Sequence, residues 1–127
     1  MKLINNLFDI ISPYDSDIFR IRLNPDCIIY RAHFPELPIT PGVCILQIGA
    51  EILERKFDTP LEITKVRNAK FLKVINPVDT PELTYRFTSL TIVDTHNIST
   101  SLLVEADGVV YSKLSFTLTP ASQIELK

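Results

Sequence analysis

Residues 30–54 read YRAHFPELPITPGVCILQIGAEILE, and the fold turns on how that stretch divides. Three of the nine prolines, Pro35, Pro38 and Pro41, crowd its first half. So many residues that lack an amide donor exclude regular structure there. The second half is apolar at Val43, Cys44, Ile45, Leu46, Ile48, Gly49, Ala50, Ile52 and Leu53. Thr40 suits an N-cap and Pro41 suits the first helical turn, where its missing N–H costs nothing. The helix is placed from about Pro41 to Lys56. Its apolar residues cover nearly the whole circumference, and such a helix is buried on all sides. Gln47, Glu51 and Glu54 form its one polar stripe. Gly49 costs ~1 kcal/mol relative to alanine in a helix interior, which makes sense if another backbone approaches closely there. Arg55 and Lys56 suit the negative end of the helix dipole. A rigid loop that carries His33 and feeds a buried helix is where chemistry is expected.

Ahead of that stretch, residues 7–11 are short and β-prone. Residues 12–17 are a turn cluster of Ser, Pro and Asp. Ile18 to Leu23 reads as a half-buried strand with Arg20 and Arg22 on one face. Asn24-Pro25-Asp26 breaks it, and Cys27 to Arg31 reads as a short extended piece. Behind the helix, Asp58-Thr59-Pro60 ends the unit. Glu62 to Val74 alternates in two phases, with a slip near Asn68-Ala69 that indicates a bulge. Residues 76–81 form a turn and Leu83 to Val93 a strand. Asp94 to Asn97 forms a hairpin turn, and Ile98 to Glu105 returns. Asp107-Gly108 is a strong hairpin signal before the closing strand, Val109 to Thr119. The tail from Pro120 carries no signal. One long helix with about five or six antiparallel strands is an α+β layout, read as one domain over residues 1–127. One sheet of a chain this size cannot easily surround such a helix, so burial by a partner subunit is expected.

The bulk composition narrows the function. With 46% apolar and 22% charged residues the chain is ordinary for a globular protein. A net charge of -2 argues against a nucleic-acid surface. No apolar run approaches the roughly 20 residues needed to span a bilayer, and no signal peptide is read at Met1 to Asn6. Cys27 and Cys44 have no metal-ligand spacing, and both read as core filler. The expectation is a cytoplasmic protein with no metal, no cofactor, and no nucleic-acid or membrane partner.

His33-Phe34-Pro35-x-x-Pro38-x-x-Pro41-Gly42-Val43 resembles the signature of the hotdog-fold 3-hydroxyacyl-acyl-carrier-protein dehydratases of fatty acid synthesis, H-F-P-G-x-P-x-x-P-G-V. Weaker echoes run from about residue 7 to 119: the turn at Asn24-Pro25-Asp26, the strand and turn from Val66 to Leu83, and the closing hairpin. The resemblance implies a long central helix wrapped by a curved antiparallel sheet. It implies that His33 is a general base on the α-carbon of a 3-hydroxyacyl thioester, where imidazole chemistry suits neutral pH. It places the thioester carbonyl at the backbone N–H of Gly42, beside Val43. A helix N-terminus suits a developing oxyanion. A loop carbonyl near Ile39 would hold the histidine. The implied partners are an acyl carrier protein or coenzyme A thioester and a second subunit, in a homodimer or higher oligomer. The active site would combine the histidine of one subunit with a helix residue of the other.

That helix residue departs from the pattern. The family has Glu, or Asp in its isomerising branch, fourteen positions after the histidine; here Gln47 stands there. A carboxylic acid can give a proton to the departing hydroxyl and an amide cannot, although Gln47 could bind the hydroxyl or orient a water. Glu51, one turn on, is a possible substitute acid. Glu36 replaces the loop glycine. His96 reads as an exposed turn residue. Lys65, Arg67, Lys70 and Lys73 read either as a solvated strand face or as a dock for an acidic carrier. Three functions compete: a 3-hydroxyacyl thioester dehydratase in fatty acid or polyene-type lipid synthesis, a hotdog acyl thioesterase, and a catalytically impaired acyl-binding or heterodimer subunit.

Overall fold

Alternating burial builds the sheet, and turns rich in Asp, Asn and Pro separate its strands. The computed structural model describes residues 2–13, 16–34, 36–94 and 96–121. Within them lie β1 (Phe8–Ile10), β2 (Ile18–Leu23), α1 (Ile29–Ala32), α2 (Gly42–Phe57), β3 (Leu61–Phe71), β4 (Glu82–Val93), β5 (Asn97–Ala106) and β6 (Val109–Pro120). The strands form one antiparallel sheet in the order β1-β2-β4-β5-β6-β3. The chain therefore leaves β2 through α1 and α2, crosses to the far edge as β3, and returns to fill the middle with β4, β5 and β6. Asp107 and Gly108, with φ of 51° and 76°, make the tight β5–β6 hairpin. Asp94 turns with φ 50° at the β4–β5 hairpin; Thr95, within that expected turn, lies outside the described residues, as do Tyr14, Asp15 and the tail beyond 121.

The inner face of the sheet presents Phe19, Ile21, Tyr85, Leu102, Phe116 and Leu118, all buried. Ile45, Ile48, Ile52 and Leu53 of α2 share that core. Burial of each such side chain contributes roughly 1.5–3 kcal/mol. Helix and sheet are also tied by Tyr85, whose buried hydroxyl donates to the Ile45 carbonyl at 2.8 Å.

Several expectations change. Residues 29–32 are a short helix rather than an extended piece. The Asn24 turn drives this: Cys27 N–H bonds Asn24 O at 3.1 Å, and Tyr30 N–H bonds Cys27 O at 3.1 Å. Tyr30 is buried there, and its tertiary anchor outweighs the β propensity of Ile28 and Ile29. Thr40 does not cap α2. Pro41 occupies the N-cap position without a side-chain bond, and the Thr40 hydroxyl pairs with Tyr30 instead. Within the single chain α2 is not covered all round, since Val43 is 72% exposed, which leaves that part of its cover to the expected partner subunit. What crowds Gly49 is side chain rather than backbone: a Cβ there would lie 3.2 Å from Leu102 Cδ2 and 3.3 Å from Phe116 Cζ. Strand β3 stops at Phe71 and its single expected slip is two, between Ile63 and Lys65 and between Val66 and Asn68.

Candidate functional site

The histidine loop is held by its own backbone. His33 N–H donates to Ile29 O at 3.2 Å, closing α1. Ile39 N–H donates back to the His33 carbonyl at 2.8 Å, and Thr40 N–H reaches Ile75 O at 2.9 Å. Beneath, the Tyr30 and Thr40 hydroxyls share a buried 2.8 Å hydrogen bond. The His33–Phe34 peptide is cis. The imidazole is exposed and meets the Phe34 ring edge-on at 6.0 Å. Ile39 thus contributes an amide to the histidine's backbone, where a carbonyl on its ring was expected. Pro35 of the motif lies outside the described residues, and Glu36 is exposed.

Gly42 opens α2 beside this loop. Among the described residues the amides of Gly42 and Val43 meet no backbone acceptor, and no side chain caps the helix. These are the donors a helix start leaves free. Gly42 lines a cavity of about 250 Å³ together with Ile39, Thr40, Pro41, Ile45, Phe71, Lys73, Val74 and Ile75. A Cβ at Gly42 would fall 2.8 Å from Phe71 Cζ, the far end of a half-exposed side chain, so the ring rests against the helix start where a larger residue would displace it. An apolar pocket with free amide donors at one end suits a chain ending in a carbonyl.

Gln47 lies elsewhere. It lines a separate cavity of about 570 Å³ with Lys2, Leu61, Glu62 and Ile63, without His33. Its Nε2 donates to Glu51 Oε2 at 2.9 Å. Glu51 is 1% exposed and also accepts from Leu3 N–H at 2.9 Å and Ile4 N–H at 2.8 Å. Glu54 completes the stripe, accepting from Lys2 and, at 2.7 Å, from Leu61 N–H. The polar stripe of α2 therefore holds the amino-terminal segment against the helix. The sequence signals the stripe but not what covers it.

Burial pushes the Tyr30 hydroxyl up to about 12, against a lowering by its Thr40 bond. Burial also raises the Cys44 thiol, and neighbouring Cys27 adds to it, which outweighs the helix N-terminus and keeps Cys44 an inert core residue. The basic stretch splits. Arg67 bonds Thr117 Oγ1 at 2.8 Å and Thr100 O at 3.0 Å. Lys65, Lys70 and Lys73 are exposed and form no ion pair among the described residues. His96 is exposed at the β4–β5 hairpin. Among the described residues no group of three or more His, Cys, Asp and Glu side chains could hold a metal ion, and no helix is long and apolar enough to cross a membrane. Tyr30 and Phe71 shape the site without a signal in the sequence, and Thr40, read as a helix cap, does so through its bond to Tyr30.

A family model described as ApeI-like, ApeI dehydratase, matches residues 11–109. No curated protein matches the chain. Among solved structures, the dehydratase heterocomplex ApeI:P from Xenorhabdus doucetiae aligns with a TM-score of 0.60 at 15% identity, covering 87% of this chain and 96% of that one. A protein of the thioesterase superfamily aligns with a TM-score of 0.59 at 12% identity, covering 88% of this chain and 83% of that one. The sigma28-regulated virulence protein Cj0977 from Campylobacter jejuni gives 0.60 at 9%, over 91% and 84%. These likenesses establish the hotdog fold, a six-stranded antiparallel sheet around a central helix.

Proposed function

Because the chain belongs to the ApeI-like dehydratase family, we propose that it dehydrates 3-hydroxyacyl thioesters, with His33 as the base and the Gly42 and Val43 amides as the oxyanion site. One observation carries this reading: a helix start with free amides opens into an apolar cavity beside the histidine loop. The imidazole takes a proton from the α-carbon. The electron pair moves into the thioester carbonyl, and the amides stabilise the oxygen as charge develops. The pair then returns to form the 2,3 double bond and expels the 3-hydroxyl. The same proton, now on the imidazolium, accompanies that hydroxyl out as water, so no second acid is consumed. Gln47 holds the hydroxyl. Because His33 and Gln47 line different surfaces, the site is completed by a second chain. The ApeI structure is itself a heterocomplex, and the partner here is either another copy or another hotdog chain.

Lys65, Lys70 and Lys73, free of ion pairs among the described residues, suit an acidic acyl carrier protein, with the thioester entering past Lys73. Gln47 also supports a second reading, thioester hydrolysis with the amide orienting water, since an amide serves that role as well as it serves a hydroxyl. Assays with carrier-bound and coenzyme A 3-hydroxyacyl thioesters separate the two. Formation of the 2-enoyl product, lost by about 100-fold or more in His33→Ala, supports dehydration. Release of free thiol without enoyl product establishes hydrolysis instead.

A further inference from the structure

Glu51 settles a point that the identity of Gln47 leaves open: which end of the amide faces the substrate. A carboxylate only accepts hydrogen bonds, and backbone N–H groups only donate. Glu51 receives Leu3 N–H and Ile4 N–H, and the Gln47 atom 2.9 Å from its Oε2 is therefore the amide nitrogen. Glu51 itself is buried, at 1% exposure. With Nε2 directed at Glu51, the carbonyl Oε1 lies in the same plane on the opposite side of the Cγ–Cδ bond. Gln47 itself lines the cavity of about 570 Å³ between Lys2 and the start of β3.

We propose that Glu51 is a positioning residue that locks the Gln47 amide nitrogen inward and offers its carbonyl oxygen as the acceptor for the substrate's 3-hydroxyl. This rests on the dehydratase reading above. An acceptor and a donor at this position do different things. A donor occupies a lone pair of the hydroxyl oxygen. An acceptor takes the hydroxyl hydrogen and turns the lone pairs away from the helix. The departing oxygen must be protonated on a lone pair, so an acceptor leaves it open to the imidazolium of the facing chain. The amide thus replaces an acid by orienting the leaving group toward the one acid that the site generates. Glu51, with its oxygens engaged by Leu3, Ile4 and Gln47, does not meet substrate; it acts through Gln47.

The chain has two glutamines, Gln47 and Gln123, so labelling with ¹⁵N-glutamine reports the amide directly. In the unmodified protein the Gln47 side-chain NH₂ is expected to be shifted away from that of Gln123 and to exchange more slowly with solvent. Glu51→Met, which cannot accept the Gln47 bond and adds no glutamine, is expected to remove that difference and lower kcat about tenfold, with KM changed less than twofold. Gln47→Leu is expected to lower kcat to a similar degree, and the double variant no further. A Gln47 amide that resonates and exchanges like Gln123 in the unmodified protein overturns the proposal, whether or not any variant folds. So does a folded Glu51→Met with unchanged kcat and an unchanged Gln47 amide. If the unmodified protein releases free thiol and forms no enoyl product while its Gln47 amide is held as described, the dehydratase reading fails and the anchoring of the amide by Glu51 stands.

Discussion

At Gly49 two effects of known size oppose each other. Alanine would gain ~1 kcal/mol of helix propensity. Its methyl would lie 3.2 Å from Leu102 Cδ2 and 3.3 Å from Phe116 Cζ, inside a packed core where overpacking costs roughly 1–3 kcal/mol. Gly49→Ala is therefore expected to lower stability by about 1 kcal/mol, read as an earlier urea midpoint with unchanged slope. The glycine itself was legible as a point of close approach. The approaching group was not, because side-chain packing between distant segments leaves no local pattern. Tyr30 gives a pH test. Its hydroxyl is raised from 10.0 to about 12, so the fold favours the neutral phenol. That contribution is full below pH 10 and is lost as pH rises through about 12. Tyr30→Phe should cost ~1 kcal/mol at neutral pH through the lost Thr40 bond. It should also flatten the fall of stability above pH 10, which thermal unfolding across alkaline buffers would show.

The elements were read with uneven success, and the reasons are physical. Strand β2 and the β5–β6 hairpin follow from alternation and from Asp107-Gly108, both local signals. Helix α1 was hidden because Ile28, Ile29 and Tyr30 favour strands, while a buried tyrosine and the Asn24 turn decide the outcome. The polar stripe of α2 was visible as a stripe, but its cover is a segment more than forty residues away in sequence. That cover is testable. Leu3→Ala removes a buried side chain but keeps the amides, and should cost roughly 2–4 kcal/mol. Deleting residues 1–4 also strips three contacts from a buried carboxylate and should cost more, by at least 1–3 kcal/mol. Equal losses in chemical denaturation would mean that the Glu51 bonds contribute nothing to the fold.

For the whole molecule, the hotdog fold and the His33 loop were readable because a fixed proline spacing marks them, whereas the placing of His33 and Gln47 on different surfaces was expected only through the family resemblance, because no local pattern carries it. Val43, Val66, Phe71 and Val74 are exposed, the last three in or just beyond β3, an edge strand with an unpaired side. Apolar surface along an open edge is a place for a second chain. Sedimentation should show a dimer at micromolar concentration if the partner is another copy. Val66→Lys should shift it to a folded monomer with no turnover, because each site then lacks half its residues. Reversing Lys65 and Lys70 to Glu should raise KM for the carrier-bound thioester and leave the coenzyme A thioester little changed, with the difference shrinking at high salt. Finally, Lys2 both lines the Gln47 cavity and pairs with Glu54. Any polypeptide joined ahead of Lys2 therefore leaves the fold at the rim of that cavity. A purification tag fused there would sit beside Gln47, so activity assays call for protein from which the tag has been cleaved.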